Sequence, residues 1–517
     1  MTRTECPTEG SQFSNGTQQP VEGQPELSQQ MVLWQLGRQA VTVDFSAEQV
    51  VTDAGLLTIR KLDRELGILA EAAARLSDPR SQKSIQHDAE ELLVQQVYQL
   101  LGGYVDANDS NVLRNDPLFK TLADASPGGE QPLASGSTVS RFRYAYTRRQ
   151  QRLPVAERTI EQERQTAKCQ RIGAINQFLV ETFIKTRRTK PTRIIIDLDA
   201  SDDPAHGQQQ LTFWHGYFDQ QQYFTLLAFD GESGFPLGAW LRPGKAHPSW
   251  GAVEALEGIV AALRAAWPDI EIVVRADAGY SIPELYDYLE ENRLKFVIGY
   301  TSNAVLKRRT DLLLKYTQAH AELYGEPCCR FTQFDDYQAE SWSHPRRIIA
   351  KCEVTAQGGP NRRFVVTNLT DRPKAVYHGL YVKRGNYPER GIQELKHGLQ
   401  MDRLSAHRFF ANAFTLQCHV LAYALWVLFR EANSHVPEIA KCQLQTVQAK
   451  LFKVGALVRP SVRRIWFRIS KTWPGRDLFA RVCQAVTSFT SALGRLWPDR
   501  LAERLQTKLG AVAVPLK

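Results

Sequence analysis

No apolar run in this sequence reaches the ~18 residues needed to span a bilayer, and no basic-then-apolar leader opens the chain. Both absences predict a cytoplasmic protein with no membrane partner. The eight cysteines contain no Cys-x-x-Cys pair and are too scattered for a zinc site or a disulfide framework, so reduced core thiols are expected. Acidic charge is also in deficit, with 55 Asp and Glu against 64 Lys and Arg.

The deficit is local. Residues 141–190 hold 13 basic against 4 acidic side chains and residues 453–517 hold 13 against 3, so these blocks carry +9 and +10 within a chain of net +9. Two basic blocks around a less basic centre suit a protein that grips a polyanion on either side of a working site. In the second block Arg463 and Arg464 lie beside Trp466, a pattern suited to phosphate contact and stacking.

At 517 residues, with 43% hydrophobic composition, the chain has room for several domains. Residues 1–30 are rich in Gln, Gly, Ser and Thr and read as a disordered tail. Residues 31–190 read as a helical region and linker. Ile59, Leu62, Leu66, Leu69, Ala73 and Leu76 recur at helical steps, and a second helix runs from Asp88 to Gly102-Gly103. Ser137 to Arg143 looks like a capped turn entering a basic helix, which makes Arg141 and Arg143 candidate DNA contacts. A fragment starting near residue 150 is expected to keep its fold and lose DNA discrimination.

The centre of the chain is Thr192-Arg-Ile-Ile-Ile-Asp197-Leu-Asp199, a buried strand whose end carries two carboxylates. A second strand, Ile270 to Ala276, ends at Asp277. Carboxylates after buried apolar runs need compensation, and two such strand ends side by side can hold a hard divalent cation. Strands over 209–219 and 222–241, a helix over 250–267, the Asp277 strand, a helix over 283–292 and a strand over 295–300 follow the element order of a ribonuclease-H-like sheet. That order makes the first strand central and the Asp277 strand its parallel neighbour.

Asp199-Ala-Ser201, Asp277-Ala-Gly279-Tyr280 and Tyr381-Val-Lys-Arg384-Gly-Asn-Tyr-Pro-Glu389 continuing to Lys396 resemble, in order, the three signatures of DDE transposases of bacterial insertion sequences. The last is written Tyr-x2-Arg-x3-Glu-x6-Lys in that group. The likeness covers roughly residues 35–485. It implies an α/β fold, with a ribonuclease-H-like core over 191–300 and 373–432, interrupted by a β-rich insertion over 301–372 and followed by a helical basic region over 433–517. It also implies metal-dependent DNA cleavage at insertion-sequence ends and strand transfer into target DNA. Asp199, Asp277 and Glu389 would hold Mg2+, with Mn2+ as substitute. Tyr381, Arg384 and Lys396 would contact phosphates of double-stranded DNA, at the inverted-repeat ends and the target, with a homodimer forming on the DNA and the protein associated with the nucleoid. A nuclease without strand transfer and a catalytically inactive DNA-binding protein are the alternatives.

The third signature departs from the pattern, because four residues separate Arg384 from Glu389 where three are normal. A frame through Tyr387, Arg390 and Glu394 restores that spacing but puts Met401 where lysine belongs. The Glu389 frame is preferred, since Ile392, Glu394 and Lys396 also match the residues that succeed the signature glutamate in that group. Pro388 suits the first position of a helix, which places Glu389 where the helix dipole favours an anion.

Overall fold

The computed structural model describes residues 30–44, 49–81, 83–144, 167–205, 207–356, 359–385 and 387–496. The expected tail at 1–29, the middle of the first basic block at 145–166 and the end of the second at 497–517 lie outside these. Two compact units divide at Val50/Val51.

The smaller unit holds an antiparallel hairpin, β1 (Gln30–Leu36) and β2 (Gln39–Asp44), turning at Gly37 with φ +63°. This corrects the helical reading of its first residues. A two-residue Gly-Arg turn between alternating β-branched and aromatic positions is a hairpin pattern. A two-residue strand, β3 (Val50–Val51), follows.

The larger unit opens with helices α1 (Leu56–Leu66) and α2 (Ile68–Ala74). The single periodic run read from the sequence is broken at Gly67, whose φ of +67° ends the first helix. Helix α3 (Ala89–Gly102) starts where Asp88 accepts from the Glu91 amide and stops at Gly103, as its sequence requires. Short helices α4 (Asp109–Leu113), α5 (Pro117–Leu122) and α6 (Gly136–Tyr144) lead to the long α7 (Ala167–Thr186).

The sheet then forms from β4 (Arg193–Pro204), β5 (Phe213–His215), β6 (Gln220–Asp230), β7 (Pro236–Trp240), β8 (Glu271–Ala276) and β9 (Lys295–Tyr300). Helix α8 (Ala252–Ala266) precedes β8, and α9 (Pro283–Glu291) links β8 to β9. After α10 (Ala304–Tyr324) come β10 (Cys328–Tyr337), β11 (Arg346–Val354) and β12 (Pro360–Thr367). These three do not form a sheet apart. They extend the same mixed sheet, in the order β10-β11-β12-β9-β8-β4-β6-β5, with β7 also on β6. Strand β4 is parallel to β8 and antiparallel to β6, and β8 is parallel to β9.

Two strand limits differ from the sequence reading. The strand expected over 222–241 is two, because the chain reverses between Asp230 and Pro236 and β7 returns on β6. Strand β4 continues to Pro204 on its β6 side, so Asp199 lies within a strand rather than at its end. Only its parallel pairing stops early, at Asp197 opposite Arg275.

Helix α11 (Pro388–Gln393) carries Glu389, and α12 (Phe409–Ala432) runs through the interior. By length and composition α12 could cross a bilayer, yet its most apolar stretch is wholly buried within the fold. The stretch expected to be helical near Arg463 is instead a hairpin of β13 (Ala456–Pro460) and β14 (Ile465–Ile469), followed by α13 (Arg476–Leu496). One apolar cluster extends from Val51 to Leu493 and takes in helices from both ends of the sequence. Phe142 of α6 meets Phe414 of α12 edge to face, and the buried Arg171 guanidinium stacks on both rings while bonding the Phe142 and Ser77 carbonyls. The N-terminal helices are therefore part of the main core, and this packing runs against the expected autonomy of a fragment from residue 150. Of the described cysteines, Cys352 and Cys418 are buried thiols, whereas Cys329 is exposed.

Candidate active site

Parallel pairing of β4 with β8 puts Asp197 opposite Arg275; Asp199 lies two residues further along β4, and Asp277, two beyond Arg275, follows β8 directly in extended backbone. Residues two apart share a face, so Asp199 and Asp277 leave the sheet together. Asp277 directly follows its strand and accepts from the Gly279 amide at 2.9 Å, capping the tight turn Ala278–Tyr280. Asp199 accepts from the Ala200 amide at 2.9 Å, and its other oxygen lies 3.1 Å from Nη1 of Arg384.

The Asp199 carboxyl is driven up to about 6, chiefly by burial. Arg384 opposes that shift, while the charges of Asp277 and Glu389 add to it. Arg384 stays firmly protonated: burial disfavours its charge, but Asp199, Tyr381, Asp277 and Glu389 outweigh it. The Tyr381 phenol lies above Gly299, where an added Cβ would come 2.7 Å from its oxygen, so glycine there admits the ring. Burial raises the phenol's pKa, and the field of Arg384 lowers it.

Glu389 is exposed in the first turn of α11, with Pro388 at the helix start. A Cβ on Gly385 would lie 3.3 Å from its carboxylate, so the backbone at Gly385 passes close to Glu389. Glu394 is in a different setting. It is buried, 3.0 Å from Arg430 and 3.5 Å from Arg390. Those partners make it an internal ion pair, whereas Glu389 shares the electrostatic neighbourhood of Asp199 and Arg384.

Lys396 bonds Asp202 at 2.7 Å, which ties the segment after α11 to β4 three residues beyond Asp199. Asp199, Asp277, Tyr381, Arg384 and Glu389 thus form one group, with Lys396 at its border. The other basic candidates share no hydrogen bond or ion pair with that group. Arg141 is exposed and bonds Thr138, Arg143 donates to Gln96 at 2.9 Å within the helical core, and Arg463 and Arg464 are exposed on the β13–β14 turn with Arg464 over Trp466.

Sequence reasoning missed Arg275. It is buried and grips Asp197 with two bonds of 2.6 Å while its third arm donates to the Leu380 carbonyl at 2.8 Å. Its position two residues before Asp277, matching Asp197 two before Asp199, was the available signal.

The three carboxylates supply the hard oxygen donors that Mg2+ prefers. Among the described residues, no three acidic, histidine or cysteine groups are drawn close enough to enclose an ion. The donor chemistry fits a divalent cation, and Arg384 now neutralises Asp199 from within that group.

Residues 34–491 match the family model described as transposase DDE domain group 1. Among solved structures, the chain is similar to the piggyBac transposase synaptic complex with hairpin DNA, at 12% identity and a TM-score of 0.40, covering 90% of this chain and 87% of that one. No curated protein sequence matches it.

Proposed function

The chain belongs to the group 1 family of DDE transposase domains, and from that premise we propose that it cuts DNA at the ends of an insertion sequence and joins the freed ends to target DNA. The reading rests on one observation above the others: adjacent parallel strands deliver Asp199 and Asp277 to one face, where α11 brings Glu389 and the preceding turn brings Arg384. Strand order around β4, with β8 parallel on one side and β6 antiparallel on the other, supports a ribonuclease-H-like arrangement of the core.

The reaction is two in-line displacements at phosphorus. In the first, a water oxygen bonds to the phosphorus at the element's end and the 3′ oxygen departs with a proton, leaving a 5′ phosphate on the flanking strand. In the second, that 3′ hydroxyl bonds to a target phosphorus and displaces the target's own 3′ oxygen. Asp199, Asp277 and Glu389 would hold the Mg2+ or Mn2+ that family members use, which supplies Lewis acidity to the attacking and leaving oxygens.

The chain's own groups do the rest. Arg384 and Tyr381 present donors where the non-bridging phosphate oxygens gain charge, in a partly buried site where such bonds are strengthened. Lys396, held by Asp202, adds a cation at the border that orients the strand. The exposed arginines Arg141, Arg463 and Arg464 hold duplex away from the cut. Incubating purified protein with end duplex, target plasmid and Mg2+ tests the proposal. Joined product supports it; cleavage without joining leaves only a nuclease, and neither product removes it.

A further inference from the structure

The layer beneath the two signature aspartates holds a single buried fork. Asp197 and Arg275 face each other across the β4–β8 pair, both essentially without solvent exposure. Nε and Nη2 of Arg275 each bond one carboxylate oxygen at 2.6 Å. Its Nη1 leaves the sheet and bonds the Leu380 carbonyl at 2.8 Å. Leu380 directly precedes Tyr381 and stands four residues before Arg384. One guanidinium therefore touches both aspartate strands and the segment that bears two other members of the site.

We infer that Arg275, oriented by Asp197, is a positioning residue that sets the segment bearing Tyr381 and Arg384 against the two aspartate strands. The inference deepens the proposed function and rests on it for the identity of the site. Apolar contacts also hold the segment, since Val376, Tyr377 and Leu380 pack on Ile195, Val273 and Val297. Such contacts are non-directional and tolerate sliding, whereas a planar fork with a third bond to a carbonyl permits one register. Gly231 leaves room for it: a Cβ there would come 2.6 Å from Nη2 of Arg275 and 2.7 Å from the Asp197 carboxylate. Buried ion pairs of this kind seldom add net stability over apolar residues of the same volume, so registration is what this one contributes.

The test uses the full chain with Arg275→Lys, which keeps the charge but lacks the planar fork that engages both Asp197 oxygens while a third N–H reaches the Leu380 carbonyl. Gly231→Ala is the second variant, since it pushes the fork aside with both charges intact. Three quantities are read: the single-turnover cleavage rate at saturating end DNA, the DNA Kd, and hydrogen exchange of backbone amides over 381–396. We expect the rate to fall tenfold or more with Kd within twofold, and exchange over 381–396 to rise selectively. A folded Arg275→Lys protein with wild-type rate and wild-type exchange overturns the inference. So does a loss spread evenly over rate, Kd and exchange throughout the chain, which marks a merely structural role. Should Arg275→Lys fail to fold, the same outcomes in Gly231→Ala decide. A wild-type protein that makes no cut refutes the functional reading instead, and the exchange measurement still decides the positioning claim.

Discussion

Glu389 and Glu394 compete for the third carboxylate in the sequence, and their surroundings predict opposite consequences of removing their charge. Glu394 is buried with Arg430 at 3.0 Å and a weaker contact to Arg390 at 3.5 Å. Breaking a buried pair by removing one partner typically costs about 3–5 kcal/mol, because the remaining ion is left uncompensated. Arg390 is partly exposed and stays near Glu394, so Arg430→Met falls at the lower end, about 3 kcal/mol. Glu394→Gln strands Arg430 beside the Tyr423 hydroxyl and costs about as much. In a chain this long, that lowers the thermal midpoint by only a few degrees. Glu389 is exposed and forms no ion pair among the described residues, so Glu389→Gln changes stability by less than about 0.5 kcal/mol while abolishing cleavage. Thermal unfolding and single-turnover cleavage, corrected for folded fraction, separate the two. A Glu394→Gln protein with a wild-type midpoint and no activity, alongside an active Glu389→Gln, would refute the assignment.

Asp203 is fully buried, with one carboxylate oxygen bonded by Thr225 and the other lacking a partner among the described residues, and burial pushes it to about 7. A folded-state value above the ordinary 3.8 means that its contribution is complete below about pH 4 and is lost as pH rises through 7. Asp203→Asn should therefore gain about 2–4 kcal/mol over wild type at pH 8 and nothing below pH 4; parallel denaturation curves across pH would contradict this. If the basic blocks meet six or more phosphates, affinity for end duplex should drop ~10³-fold or more between 50 and 200 mM salt, and a flat response would exclude them as the grip. Deleting residues 1–150 should yield insoluble protein, because the deletion uncovers the shared core around Phe414 and Arg171; a soluble fragment with native near-ultraviolet dichroism would contradict the packing.

The sheet was legible where one rule governed. The run Lys295–Tyr300 has no turn residue within its apolar centre, and it forms the strand read from it. Asp199 and Asp277 were legible as neighbours because the order of elements matched a sheet in which the first strand and the Asp277 strand lie side by side, as they do here. The end of β4 was not, since Ser201-Asp-Asp-Pro204 reads as a turn until Lys396 and Gln220 are known to bond Asp202 and Thr225 to bond Asp203. The same blindness to long-range partners applies to Arg143, which reads as a surface cation and in the fold reaches Gln96, 47 residues away in sequence. It applies equally to Asp197, whose separation from Asp199 in role depends on Arg275, 78 residues away. Arg430, the buried partner of Glu394 that sets it apart from Glu389, lies 36 residues away and no local spacing could reveal it. Autonomy of the N-terminal helices was misjudged because apolar periodicity shows that a helix has a buried face and says nothing about what covers it.

The central claim is that Asp199, Asp277 and Glu389 act as one cation site. Iron(II) placed there with ascorbate and peroxide generates hydroxyl radicals that cut the nearest backbone, and mass spectrometry locates the cuts. The protein bound to end duplex should be cleaved beside 199, 277 and 389, with excess Mg2+ suppressing all three cuts together and Asp199→Ala abolishing them together. Cuts confined to one of the three, or focused on Glu394, would contradict the account.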